Sequence, residues 1–366
     1  MKKICFVQNS LGFGGVESVT VNLANYYVQN GYDVTILCLK SKTEMLEKLD
    51  SKCNVIFSSA GKIYLNIPFL WKHFFKNKYD AVISSIDFIN VMSVIAYKLS
   101  LSKAPLLLVS HTKLSAFYAS TKWKYARFSI KLARYVYPFA DVIASVSQAS
   151  AKDLKQFLEL KKDVDVLYNP VIKQQDLSYI PLKKPHSAFD LNKKIIISCG
   201  RLEEEKNHHL FLNSLKVLKD KKVDFHALIL GDGSLKQEVI QQIDDLGLAL
   251  DVSLTGFVNN VVDYLYYADM LALHSNYEGL PTVLIEGLAQ ECNLISTDCT
   301  DAIREIIPNH KVGLIVEKNN AAELAKALEV SLLKDSSQEK LKQHVSKFLV
   351  KDCAEKYLEV LGLCEK

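Results

Sequence analysis

The chain has 366 residues, of which 49% are hydrophobic and 23% charged; this composition excludes a disordered or fibrous protein, and the length asks for two cores of roughly 150 to 200 residues each. Formal net charge is +4, yet residues 1–185 hold 25 Lys and Arg against 13 Asp and Glu, while residues 186–366 hold 20 against 28. The first half is therefore the one suited to an anionic partner.

In chain order, short apolar and β-branched runs alternate with helix-length amphipathic segments: KICFVQ, VTILCL, AVISS, PLLLVSH, VIASVS and VDVLYNP, then KIIISCG, FHALILGDG, VSLTGF, MLALHS, NLISTD and VGLIV. This alternation predicts parallel sheets with crossover helices, and the unbroken apolar strands predict sheets covered on both faces. Between the two series, NPVIKQQDLSYIPLKKPHSAFDLNKK is polar and contains Pro170, Pro181 and Pro185, which reads as an interdomain linker. The expected architecture is α/β, two doubly wound domains facing across a cleft, residues 1–180 and 181–366. The eight cysteines form no Cys-x-x-Cys pair and several lie in the predicted strands, so they read as reduced thiols of a cytoplasmic protein. The apolar run in MKKICFVQNS is too short for a signal peptide, and no uncharged apolar stretch of about 18 residues occurs, so no membrane span is expected.

Ligands of doubly wound sheets bind beyond the carboxyl ends of the strands. After the first strand, NSLGFGGVES supplies Gly12, Gly14 and Gly15 before a helix expected to start near Val16; glycines let a backbone approach phosphate, and a helix start offers free N–H groups, but taken alone the loop reads rather as a tight turn. Glu17 stands where a dinucleotide fingerprint would place its third glycine, and Lys40, not an acid, follows VTILCL. Both weigh against an NAD-dependent oxidoreductase. After KIIISC, GRLEEEKN sets Arg201 and Lys206 around an acidic triplet; this is either a solvated charge run or a phosphate site at a strand end. The glycines of GDG, Gly231 and Gly233, read as structural.

In HSNYEGLPTVLIEGLAQE, Pro281 suits a first helical turn, so Thr282 to Gln290 is expected to be helical with free N–H groups near Leu280 to Val283. Carboxylates are repelled by phosphate, so Glu278 and Glu286 read either as acceptors for neutral hydroxyls on either side of a bound anion or, equally, as a cap-region charge and a surface residue. Diphosphate flanked by polyhydroxylated rings describes a nucleotide sugar. Asp163-Val164-Asp165 imitates a metal-binding Asp-x-Asp but alternates within a predicted strand and reads as structural, leaving no metal site.

Gly14 to Glu17, Gly200 to Asn207, LILGDG, and Glu278 with Glu286 separated by seven residues together resemble the family-four retaining glycosyltransferases of the GT-B fold, in the right order along nearly the whole chain. The resemblance implies that Arg201 and Lys206 neutralise the donor diphosphate in place of a metal. Glu286 would hold the ribose, and Glu278 a hydroxyl of the donor sugar. Backbone N–H groups around Gly279 to Thr282, from Gly279, Leu280 and Thr282 on either side of Pro281, would meet sugar and phosphate. Gly14 and Gly15 would close over the donor, with Glu17 toward the acceptor, and His111 would contact the sugar near the reacting carbon. It further implies retention of configuration, no required cofactor, a UDP-linked hexose or N-acetylhexosamine donor, and a last helix, about 350–366, that packs back on the first domain. Glu291, Asn293, Ala302 and Ile303 depart from the family's usual residues, so donor-sugar specificity is not carried over.

Finally, in TKWKYARFSIKLARYVY, Lys124, Arg127, Lys131 and Arg134 share a helical stripe beside Trp123, Phe128 and Tyr135, and WKHFFKNKY adds Trp71 and Phe74. Basic residues interleaved with aromatics suit an anionic bilayer, although an ordinary solvated helix has the same pattern; no nucleic-acid motif is present. The expected acceptor is a lipid-linked glycan, lipopolysaccharide or capsule precursor, met peripherally on the cytoplasmic face of the inner membrane. A noncatalytic nucleotide-sugar-binding protein is the alternative.

Overall fold

The computed structural model describes residues 1–12, 14–61, 65–332 and 342–364. The chain divides into two compact units, residues 1–173 with 347–366 and residues 174–346. The first contains seven strands, β1 (Lys3–Gln8), β2 (Asp33–Cys38), β3 (Asn54–Phe57), β4 (Ala81–Ser85), β5 (Leu106–Ser110), β6 (Val142–Ser145) and β7 (Asp165–Val166), in the order β3-β2-β1-β4-β5-β6-β7. The second contains β8 (Lys194–Cys199), β9 (Phe225–Leu230), β10 (Val252–Gly256), β11 (Met270–Leu273), β12 (Asn293–Thr297) and β13 (Gly313–Val316), in the order β10-β9-β8-β11-β12-β13.

Neighbouring strands are parallel throughout both sheets. AVISS in β4, LLLVS in β5 and FHALIL in β9 are buried at every position, as strands covered on both faces must be. Strand order reverses between β1 and β4 in one sheet and between β8 and β11 in the other. These are the points where loops diverge and leave room for a ligand at the carboxyl edge.

The boundary between the two units, after Lys173, falls within the expected linker. From Gln174 onward it belongs to the second unit, because Phe189 is buried against Tyr264 and Tyr267, whose hydroxyls donate to the Pro185 and Pro181 carbonyls. Its prolines and polar residues describe an irregular path, not an unpacked one. The end of the chain joins the first unit: helix Val350–Val360 buries Tyr357 and Leu358, the Tyr27 hydroxyl donates to the Ala354 carbonyl at 3.0 Å, and the Val171 and Ile172 N–H groups donate to Phe348. Cys5, Cys38, Cys292, Cys299 and Cys353 are buried, Cys53 and Cys199 partly so, and Cys364 is exposed. No helix among the described residues is long and apolar enough to cross a membrane.

Candidate active site

In the second unit, the candidate residues gather at the carboxyl ends of β8 and β11, adjacent strands at the reversal point. β8 runs into Gly200 and Arg201, and a short turn at Glu204–Lys206 leads to helix His208–Asp220. β11 runs into His274 and the Glu278 loop, which leads to helix Thr282–Ala289. Pro281 caps that helix from an extended conformation, so the Thr282 and Val283 N–H groups at its start have no intrahelical partner, whereas the Leu284 N–H already donates to the Pro281 carbonyl at 3.1 Å.

Lys206 Nζ donates to Glu278 Oε1 at 2.6 Å, and the Ser275 hydroxyl donates to the same oxygen at 2.8 Å. Both charged side chains are mostly buried. Burial alone would lower the Lys206 pKa, but the Glu278 carboxylate, helped by Glu205 and Cys199, outweighs it and leaves the value raised. The two residues assigned from sequence to different parts of a donor are thus partners of one another. Arg201 extends toward solvent and pairs with Glu205.

Glu286 lies one turn into helix Thr282–Ala289 and is partly exposed. Burial pushes the Cys199 thiol up to about 12, with the Glu286 charge raising it further and Lys206 opposing, which places both charges within electrostatic reach of the end of β8. Gly287, next to Glu286, permits this approach: a Cβ there would overlap Leu271 and Leu294 of the sheet.

Gly231 and Gly233 support the β8 loop from behind. Gly231 has φ +144°, and a side chain on it would collide with the Gly200 carbonyl; one on Gly233 would meet the Leu202 backbone. Glu203 accepts from the Ser234 N–H and hydroxyl, joining the two loops. Asp163 is exposed and pairs with Lys155.

In the first unit, Gly14 and Gly15 are exposed at the start of helix Gly15–Gln29, one residue before the expected position. The Glu17 side chain folds over Gly14, where a Cβ would strike its carboxylate. His111 follows β5 directly. Its two ring nitrogens are buried without a hydrogen bond of good geometry, and burial pushes its pKa down to about 4, with Asn169 acting the other way.

Beside it lies a residue that sequence reading missed. Asp87 is buried at the start of helix Asp87–Ser100, accepts from the Tyr137 hydroxyl at 2.9 Å and from Thr112 at 3.4 Å, and has its carboxyl pushed up by burial. Ile86 before it has φ +81°, a rare conformation for a β-branched residue and one that clusters at functional sites. Nothing in IDFIN marks this in advance. His274, inside the quoted motif, was also passed over as a functional group.

Lys124, Arg127, Lys131 and Arg134 are all exposed on helix Lys124–Val136. Arg127 lies over the Tyr118 ring and Arg134 pairs with Glu159. Phe128 and Tyr135 are 67% and 69% exposed. On helix Asn66–Lys76 the assignment of Phe74 to the surface is corrected: Phe74 is 2% exposed and packs in the core, and Phe75, 64% exposed, stacks on Trp71. In FF the helical register decides which ring faces out, and adjacent identical residues hide it.

Residues 13–175 match the family model described as Glycosyltransferase Family 4, and residues 180–348 the model described as Glycosyl transferases group 1. An N-acetylgalactosaminyltransferase of Campylobacter jejuni, named for an N-acetylgalactosamine-diacetylbacillosaminyl-diphospho-undecaprenol acceptor, is 30% identical over 356 residues, covering 92% of this chain and 91% of its own. The chain belongs to the family-four glycosyltransferases.

A second Campylobacter jejuni N-acetylgalactosaminyltransferase, also named for an undecaprenol-diphosphate-linked saccharide, is 29% identical over 99% of both chains. Among solved structures, Anabaena HepE in complex with UDP-glucose superposes with a TM-score of 0.80 at 19% identity over 100% of both chains. A glycosyltransferase from Rickettsia africae gives 0.78 at 20% identity over 98% of this chain and 97% of its own. The glycosyltransferase has the GT-B architecture of two Rossmann-like units. Neither a noncatalytic sensor nor a nicotinamide enzyme is favoured by these matches.

Proposed function

We propose that this glycosyltransferase moves an N-acetylhexosamine or hexose, with retention, from a UDP-sugar to a lipid-linked glycan or a lipopolysaccharide or capsule precursor. The observation that carries the reading is the mostly buried Lys206–Glu278 pair at the reversal point beside a helix N-terminus. A donor diphosphate competes with Glu278 for Lys206, and the displaced carboxylate becomes free to accept a sugar hydroxyl. The exchange couples phosphate neutralisation to sugar orientation. Arg201, already solvent-facing, closes on the second phosphate as a bidentate fork, and Glu286 accepts from the ribose. Retaining transfer then proceeds through an oxocarbenium-like transition state, with attack on the face that the diphosphate leaves and the leaving oxygen taking the acceptor proton. Arg201, Lys206 and the first-turn N–H groups carry the developing charge without a metal. His111 and Asp87 serve the sugar and acceptor side, with Gly14, Gly15 and Glu17.

The names of the Campylobacter relatives support an undecaprenol-diphosphate-linked acceptor and an N-acetylhexosamine donor, and the UDP-glucose bound to HepE supports a uridine nucleotide. The deciding experiment presents the purified protein with UDP-N-acetylgalactosamine, UDP-N-acetylglucosamine, UDP-glucose and UDP-galactose, each with an undecaprenyl-diphosphate-linked saccharide, with and without chelator. An α-linked product from one donor, formed equally with chelator, is expected. Stabilisation by UDP with no turnover on any acceptor would favour the sensor reading.

The exposed aromatics and the basic stripe of helix Lys124–Val136, continued by Trp71 and Phe75, form the membrane-facing surface in this proposal. Each basic residue near an anionic surface contributes about 1 kcal/mol. Changing Lys124, Arg127, Lys131 and Arg134 together to Ser is therefore expected to weaken binding to phosphatidylglycerol vesicles by at least about tenfold at low salt, less at high salt. Unchanged vesicle binding would return the helix to an ordinary solvated role.

A further inference from the structure

Behind the loop that carries Arg201 and Lys206 stand two buried imidazoles, His274 and His208, 4% exposed or less. His274 Nδ1 lies 2.5 Å from the Lys206 carbonyl oxygen, and its Nε2 lies 2.8 Å from Ser198 Oγ. A carbonyl only accepts, so Nδ1 bears the proton and the Ser198 hydroxyl donates to Nε2. His208 Nε2 lies 3.1 Å from the Arg201 carbonyl and by the same argument donates to it. The two rings pack edge to face at 5.0 Å, and His274 stacks on Phe211 at 4.8 Å and 14°, so neither imidazole can swing away.

Each imidazole thus grips the main chain of one of the two cationic residues. We propose that His274 and His208 are positioning residues that fix the backbone of Lys206 and Arg201 so that both cations meet the donor diphosphate in one geometry. The proposal rests on the donor reading given above for those cations. Burial holds both rings neutral, His208 at about 4 and His274 well below the ordinary histidine value, so each keeps its single N–H on the carbonyl without placing a second positive charge beside Lys206. Other bonds reach residues between and beside the cations: Asn276 donates from Nδ2 to Glu204 and from its N–H to Glu205, the Leu202 N–H donates to Asp232, the Gly200 N–H to Leu230, and Asn207 Nδ2 to Asn276 and Asn319. The Arg201 carbonyl also accepts from the Glu203 N–H and the Lys206 N–H donates to the Glu203 carbonyl, both within the loop; the imidazoles tie these two residues to the elements behind it, and a backbone shift there is carried straight to the charge. Misplacement of a reacting or binding group by about 1 Å can cost up to roughly a hundredfold in rate.

The two ring nitrogens allow a test that packing alone cannot imitate. An asparagine amide reaches the position of Nδ1, and a glutamine amide that of Nε2. His274→Asn keeps the bond to Lys206, whereas His274→Gln keeps Ser198 and loses Lys206; for His208 the order reverses, Gln keeping the bond to Arg201. Amide hydrogen exchange is measured across residues 200–207, with UDP and uridine titrated in parallel. In His274→Gln, exchange in this segment is expected to rise about tenfold and UDP affinity to fall about tenfold, with uridine binding unchanged and His274→Asn close to wild type. The His208 pair, expected to show the opposite order, decides the matter if a position-274 variant does not fold. Equal behaviour of Asn and Gln at both positions, or unchanged exchange in residues 200–207, would overturn the proposal. Failure of the wild-type protein to bind UDP would instead sink the donor reading, and the exchange comparison would still judge the imidazoles.

Discussion

Lys206→Met is expected to lower kcat/KM for the nucleotide sugar by about 10²- to 10³-fold, the usual loss when one preorganised group facing transition-state charge is removed. The substitution keeps much of the aliphatic stem that lies along Gly200 but strands Glu278, whose side chain is only 16% exposed. Breaking a buried pair from one side costs about 3 kcal/mol or somewhat more, so the variant also unfolds earlier. Lys206→Met with Glu278→Gln separates the two effects: the amide still accepts from Ser275, stability returns, and activity does not. A single variant with wild-type turnover would remove Lys206 from the mechanism. The sign of the pH dependence is also set. Because the folded-state Lys206 pKa is raised, its contribution to stability is fully present below the ordinary lysine pKa and fades only as pH climbs through the raised value. On the lysine side the pair therefore holds across the physiological range and is lost in alkali. Thermal unfolding of wild type and the double variant between neutral and strongly alkaline pH reads this difference.

Gly231→Val is expected to destabilise the second unit by about 3 kcal/mol or more, since it combines a backbone conformation foreign to β-branched residues with overpacking. At φ +144° the new side chain would be driven into the Gly200 carbonyl, the point from which Arg201 departs. Chemical denaturation measures the loss, and UDP affinity measured well below the transition should fall as well, because the displaced segment bears the cations. Gly15→Ala is the control: nothing lies within 4 Å of a Cβ there, and stability should hardly change. Equal stability of Gly231→Val and wild type would mean that the β8 and β9 loops do not support each other as described.

Much of this molecule was legible in its amino-acid order. Unbroken, short apolar runs such as LLLVS and FHALIL suit strands covered on both faces, and their alternation with amphipathic helices leads to two doubly wound sheets. The glycines after β1 and β8, the proline before Thr282 and the two glutamates around it are local signals, readable because turn and helix-start chemistry acts over a few residues. What stayed hidden depends on which strands become neighbours. Lys206 and Glu278 are 72 positions apart, and only the placement of β8 beside β11 turns a solvated charge run and a helix-flanking acid into one pair. The same adjacency sets His274 on the Lys206 carbonyl and gives a motif histidine a task that its sequence neighbours do not announce. Helical register buries Phe74 and exposes Phe75, and the burial of Phe189 against Tyr264 and Tyr267 turns an apparent linker into part of the second unit. Local propensity and periodicity are properties of consecutive residues; partner choice is a property of the packed sheet, and the candidate site is built from partners.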